Sequence, residues 1–155
     1  MAKTSSLTDK LTRDFPQLHL ERSDDFYWSP STSTVHYGDM SSERDELTLL
    51  HEVAHALLGH HHFKRDIDLL RIEREAWDYV RNVLGPKYGL KPDEETIEDA
   101  IDTYREWLHA RSKCPHCSLT GIQTGDSKYH CLGCDGDWLV NDARRCGLKR
   151  YAISH

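Results

Sequence analysis

Two cysteine pairs, Cys114-Pro115-His116-Cys117 and Cys131-Leu132-Gly133-Cys134, stand 13 residues apart in the last third of a 155-residue chain. Thiols at i and i+3 wrap a knuckle around an ion, and two such knuckles complete a tetrahedral set of four sulfurs. The spacing predicts a small zinc ribbon over residues 112–155, with short strands near Ile122, Tyr129 and Trp138-Leu139-Val140. So little apolar mass cannot fold unaided, so the metal is expected to supply much of the folding energy. Disulfides are the alternative, disfavoured because the N-terminus has no apolar secretion segment. Cys146 is left over and reads as a plain thiol.

Composition bounds the rest. A hydrophobic fraction of 37% beside 30% charged residues suits a thin core supported by metal sites. The net charge of −6 argues against a protein that coats nucleic acid. Residues 112–155 carry six Lys/Arg against four Asp, so the negative excess lies in residues 1–111. Much of it is Asp93, Glu94, Glu95, Glu98, Asp99, Asp102 and Glu106, read as the solvated face of a helix. Arg144, Arg145, Lys149 and Arg150, with Tyr151, make a basic tail that can meet phosphates, although an ordinary solvated terminus is preferred. No apolar run approaches the ~20 residues that span a bilayer. The chain is expected to be soluble and cytoplasmic, with no membrane partner.

Residues 1–111 read as one further domain. Leu7, Leu11 and Phe15 mark a short amphipathic piece, and Asp25–Trp28 and Thr34–Tyr37 predict a hairpin. Ser41 or Ser42 can cap the next helix, with Asp45 close to a capping box, and Gly59 ends it after Leu58. A second helix is predicted from about Asp66 to Leu84, stopped by Gly85-Pro86, and a third from about Asp93 to Ala110.

The chemistry concentrates in His51-Glu52-Val53-Ala54-His55. Residues four apart on a helix lie about 40° apart around its axis, so both imidazoles can reach one ion. Glu52, on the neighbouring position, can take a proton from water without ligating the metal. A catalytic zinc needs a third protein ligand and an open position. His61 sits at metzincin spacing, but that pattern requires a glycine where Leu58 stands. Steps of about 100° place Glu73 within the apolar stripe of Leu69, Ala76, Trp77 and Val80, whereas Glu75 falls near the polar edge. A carboxylate in an apolar face needs compensation, which favours Glu73, with a Glu73–Arg44 ion pair as the alternative.

The run from His51 to His60, followed by Glu73-Arg74-Glu75-Ala76, resembles the gluzincin pattern H-E-x-x-H … E-x-x-A, and within it the ImmA/IrrE-type metallopeptidases. The resemblance covers roughly residues 33–84. It implies His51, His55 and Glu73 as zinc ligands and Glu52 as general base. The sequence departs from the family at Trp77, where a polar residue is usual, leaving Asp78 as the nearest substitute to orient a histidine. Oxyanion donors are open among His60, His62, Tyr79 and Tyr88, and the strand around Val35 is a candidate for pairing with an extended substrate.

The expectation is an α+β, zincin-like domain over residues 1–111 with a C-terminal ribbon over 112–155, holding one catalytic and one structural zinc. Its expected activity is hydrolysis of an intracellular protein or peptide, and the resemblance implies a regulatory one. SprT-like proteases, which act on DNA-bound proteins, also join H-E-x-x-H to a four-cysteine ribbon. In them a histidine, from His60 to His62 in this chain, would replace Glu73. A catalytically silent zinc-binding adaptor is the third reading, and Glu52 speaks against it.

Overall fold

The computed structural model describes residues 6–61, 64–141 and 150–153, so His62, Arg144, Arg145, Cys146 and Lys149 lie outside the described residues. The fold is α+β, with helices and two small sheets. Residues within 1–62 and 72–97 form one compact unit, and those within 63–71 and 98–155 form the other.

The first unit begins with helix α1 (Leu7–Asp14), whose N-terminal Ser6 accepts a hydrogen bond from the Asp9 N–H and whose Leu7 and Leu11 are buried. Strands β1 (His19–Arg22), β2 (Tyr27–Ser29) and β3 (Thr34–Tyr37) follow. β2 and β3 form the expected hairpin, with Trp28 opposite Val35. β1 joins the other side of β3 in parallel, pairing Leu20 with Val35, so the order is β1-β3-β2. This overturns the expectation that the strand around Val35 accepts an added strand. Both hydrogen-bonding edges of β3 are already used, and the open edges of this sheet belong to β1 and β2.

Helix α2 (Glu43–Leu57) packs on β2 and β3. Its start is a complete capping box: the Asp45 N–H donates to the Ser42 hydroxyl and the Ser42 N–H to the Asp45 carboxylate. Leu47, Leu49, Leu50, Val53 and Ala54 are buried along it. Each fully buried leucine contributes about 1.5–3 kcal/mol against leaving it in water. The helix ends in a Schellman motif. Gly59 N–H donates to Ala56 O at 3.2 Å and His60 N–H to His55 O at 3.0 Å, with Gly59 left-handed at φ 69°.

The helical path that begins with α3 (Asp66–Tyr79) is not broken at Gly85-Pro86, where the sequence suggests a stop. It widens into a π turn (Val80–Leu84) that packs on α2 and continues as the short helix α4 (Gly85–Tyr88). Pro86 has no N–H for an α-helical bond and its ring crowds the preceding turn; one wider turn accommodates both. Gly85 donates to Val80 O across that turn, and a Cβ there would stand 2.5 Å from Leu90 O, so only glycine fits. Helix α5 (Glu94–Arg111) starts at Asp93, whose carboxylate accepts from the Thr96 N–H at 2.7 Å. Ile97, Ile101 and Leu108 are buried along α5, while Glu94, Glu95, Asp99, Asp102 and Glu106 are exposed, as the charge pattern predicts. No described helix is long and apolar enough to cross a membrane.

In the second unit β4 (Ile122–Gly125), β5 (Lys128–His130), β6 (Asp137–Val140) and β7 (Arg150–Ala152) form an antiparallel sheet in chain order. The sequence reading anticipated short strands at the first three and read Arg150 and Tyr151 as tail. Instead these two sit on an edge strand paired with Val140 and Leu139. Trp138, Tyr129, Val140, Cys114 and Cys131 make the small core. Trp138 stacks on Tyr129 at 5.6 Å, and its indole N–H donates to Arg111 O at 2.9 Å.

Replacing Gly59 with alanine keeps a free space for the Cβ but forces a left-handed residue to carry one. Gly59→Ala is expected to lower stability by about 1 kcal/mol, measured by urea unfolding of the first unit's tertiary signal.

Candidate metal centres

Helix α2 brings His51 and His55 to one face, both buried, and α3 brings Glu73 opposite them. Glu73 is only 1% exposed. Its Oε2 lies 2.7 Å from His51 Nε2 and 3.3 Å from His55 Nε2, and the two Nε2 atoms are 3.1 Å apart. Ligand atoms about 2.0 Å from a tetrahedrally held divalent ion stand about 3.3 Å from one another. The three contacts, at 2.7, 3.1 and 3.3 Å, bring these atoms close enough to share one ion. One cation bound there would be held by both imidazoles and the carboxylate at once.

Glu52 stands beside this set. One carboxylate oxygen of Glu52 and one ring nitrogen of each of His51 and His55 all lie within 4.8 Å of one another. Burial on its own would raise the pKa of Glu73, but the pull of His51 and His55 outweighs it and holds the carboxyl well below its ordinary range. An ionised carboxylate is the form that ligates a metal.

The two imidazoles are oriented by different means. His51 stacks on Trp77, with ring centroids 4.5 Å apart and planes 25° apart, and its Nδ1 is buried without a hydrogen-bond partner among the described residues. The residue by which the chain departs from the family pattern therefore holds a ring by its face rather than by a hydrogen bond. Asp78, the substitute suggested by sequence, pairs with Arg81 at 2.8 Å. His55 Nδ1 lies 2.9 Å from His60 Nδ1, and His60 Nε2 lies 3.0 Å from Glu75 Oε2. Burial holds the His60 pKa below the usual histidine value, against the opposing pull of Glu75.

Of the other third-ligand candidates, His60 and Glu75 form this outer layer and His61 is exposed. Arg44 is exposed on the first turn of α2. Among the oxyanion candidates, Tyr88 donates its hydroxyl to Asp14 at 2.8 Å, which commits it elsewhere, and Tyr79 is half-buried at the end of α3. The role of His60 and Glu75 behind His55 was missed in the sequence. Its signal is the Gly59-His60 pair at the last two positions of a Schellman motif, which turns His60 back onto His55.

The second centre is Cys114, Cys117, Cys131 and Cys134, whose sulfurs converge within 4.8 Å. Cys114 Sγ is 3.6 Å from Cys134 Sγ, and Cys117 Sγ is 3.4 Å from Cys131 Sγ, far beyond the about 2.05 Å of a disulfide. The knuckles repeat one local geometry. Ser118 N–H donates to Cys114 O at 3.0 Å and Asp135 N–H to Cys131 O at 2.9 Å, with Ser118 and Asp135 both left-handed. Although burial resists ionisation of Cys114, the N–H groups of Cys117 and His116 bring its pKa to about 6. Backbone N–H groups, that of Cys134 foremost, lower Cys131 as well. Thiolate character is what a soft divalent ion needs.

No family model, curated protein or solved structure matches the chain. Among the described residues, the four cysteines and the set of His51, Glu52 and His55 are the groups of three or more whose ligand atoms lie close enough to hold one ion.

The centres are separable. The intact chain is expected to bind two divalent ions by native mass spectrometry. A Cys114→Ser, Cys117→Ser variant and a His51→Ala, His55→Ala variant should each retain one.

Proposed function

We propose that the chain is a zinc-dependent endopeptidase of the ImmA/IrrE-like gluzincin kind, with the cysteine ribbon as a structural zinc module. The observation that supports this most directly is the meeting of His51, His55 and Glu73 at ligand spacing with Glu52 alongside. His51, His55 and Glu73 would hold the catalytic zinc, and Cys114, Cys117, Cys131 and Cys134 the structural one. When bound, zinc supplies Lewis acidity, lowering the pKa of water toward about 7 and polarising a peptide carbonyl.

The chain's own residues supply the remaining chemistry. Glu52 takes a proton as the water oxygen bonds to the carbonyl carbon, and returns it to the leaving amine nitrogen as the C–N bond breaks. A purely structural metal site has no use for a carboxylate in that place, which weighs against a silent adaptor. Buried Glu73 and Trp77 wall one side of the site and limit water around the ligands. An extended substrate would add to the outer edge of β2, because Trp28 on that strand donates its indole N–H to His60 O at 2.8 Å, beside the site. A carboxylate third ligand from α3 favours the gluzincin reading over a SprT-like one. An intracellular regulatory protein is the substrate class that the family resemblance suggests.

Glu52→Gln is expected to keep both zinc ions and lose about 10²–10⁴-fold in turnover of a protein substrate, checked by metal analysis and cleavage kinetics. Equal turnover in both proteins would refute the peptidase reading. Glu73→Ala should lose the catalytic ion, whereas a His61→Ala, His62→Ala variant should keep it; the reverse result selects the SprT-like alternative. That alternative also predicts cleavage stimulated by DNA with steep salt dependence.

A further inference from the structure

We infer that His60 and Glu75 are positioning residues, joined to His55 in a hydrogen-bond relay that fixes which nitrogen of His55 faces the metal site. This rests on the proposed function only in requiring an ion on His51, His55 and Glu73.

Helix geometry sets the relay. In a Schellman motif the residue after the left-handed glycine packs its side chain against the residue five positions earlier, usually through an apolar contact. Here those residues are His60 and His55, and the contact is polar, with ring nitrogens 2.9 Å apart. His60 is further pinned because its carbonyl accepts the Trp28 indole N–H at 2.8 Å. Its side chain is 10% exposed, while that of Glu75 is 46% exposed at the rim.

Donor and acceptor logic then assigns every hydrogen. The Glu75 carboxylate only accepts, so the hydrogen of a neutral His60 sits on Nε2, 3.0 Å away. His60 Nδ1 is then an acceptor, so the hydrogen between the two rings belongs to His55 Nδ1. That leaves His55 Nε2 bare, and Nε2 is the atom 3.1 Å from His51 Nε2 and 3.3 Å from Glu73. The relay thus presents a lone pair to the ion instead of an N–H. His51 has no such chain, being held by Trp77. Ligand orientation is therefore supplied unequally, and loss of the relay strikes His55 alone.

The test is zinc affinity of the full chain by chelator competition, with the ribbon's ion as internal reference. His60→Ala is expected to weaken the ion at the His51–His55–Glu73 site about 10–100-fold. His60→Asn places an amide oxygen near the lost Nδ1, still accepts from His55, and should recover most of that loss. Glu75→Gln still accepts from His60 without the charge and should fall between parent and His60→Ala. Imidazole ¹⁵N spectra of the zinc-loaded parent should show His55 protonated at Nδ1. The relay is overturned if His60→Ala binds as the parent does, if His60→Asn is no better than alanine, or if His55 carries its hydrogen on Nε2. Should His60→Ala fail to fold, Glu75→Ala decides, since it removes the acceptor for His60 Nε2 at a half-exposed side chain; parent-like affinity there overturns the relay. A parent that takes up only the ribbon's ion removes the catalytic-site reading and the relay together, whereas a parent with two ions and an unaffected His60→Ala removes the relay alone.

Discussion

Glu73 is a carboxylate in an apolar face, and the first unit is arranged around compensating it. Moving such a group out of water costs several kcal/mol after relaxation. Two imidazole nitrogens stand within 3.3 Å of it, and a cation shared with them would provide the compensation. The same arrangement sets three electron-pair donors against one another, which is tolerable when a cation lies between them. The helices that carry the three groups are held by ordinary burial: Leu47, Leu49, Leu50 and Val53 from α2, and Ala76 and Val80 from α3 and the π turn. The three groups and the packing of these helices therefore share one interface, and a change that loosens α2 against α3 disturbs both.

The ends of α2 matter as much as its face. At the start, Ser42 and Asp45 exchange hydrogen bonds and leave no doubt about where the helix begins. At the end, a left-handed glycine reverses the chain and returns His60 to the histidine it supports. A helix-terminating motif thus also places the side chain that meets His55. The π turn after α3 has a comparable origin: Pro86 cannot continue a regular helix, and the wider turn packs on α2.

The ribbon reaches order by other means. Its buried core is a handful of residues around Trp138 and Tyr129. Repeated knuckle geometry brings four sulfurs together and aims backbone N–H groups at each of them. In so small a unit, metal affinity and folding free energy are nearly the same quantity.

Much of the local structure was legible in the chain because its causes act over a few residues. Apolar spacing marks α1, α2 and α5, Ser42 and Asp45 mark a cap, and H-E-x-x-H and the two C-x-x-C pairs mark metal chemistry. The helical stripe even separates Glu73 from Glu75, since the angle around a helix follows from sequence position alone. Sheet order did not follow: nothing near Val35 tells that β1 will occupy its second edge, because strand pairing joins residues remote in sequence. The continuation of α3 past Gly85 and the recruitment of Arg150 and Tyr151 to a strand were likewise set by packing partners. The sequence by itself determined which residues can bind metal and on which helical face they lie. Tertiary structure decided that Glu73 completes the set while His60 and Glu75 stand behind it, because that choice depends on how two helices face each other, and no local pattern encodes it.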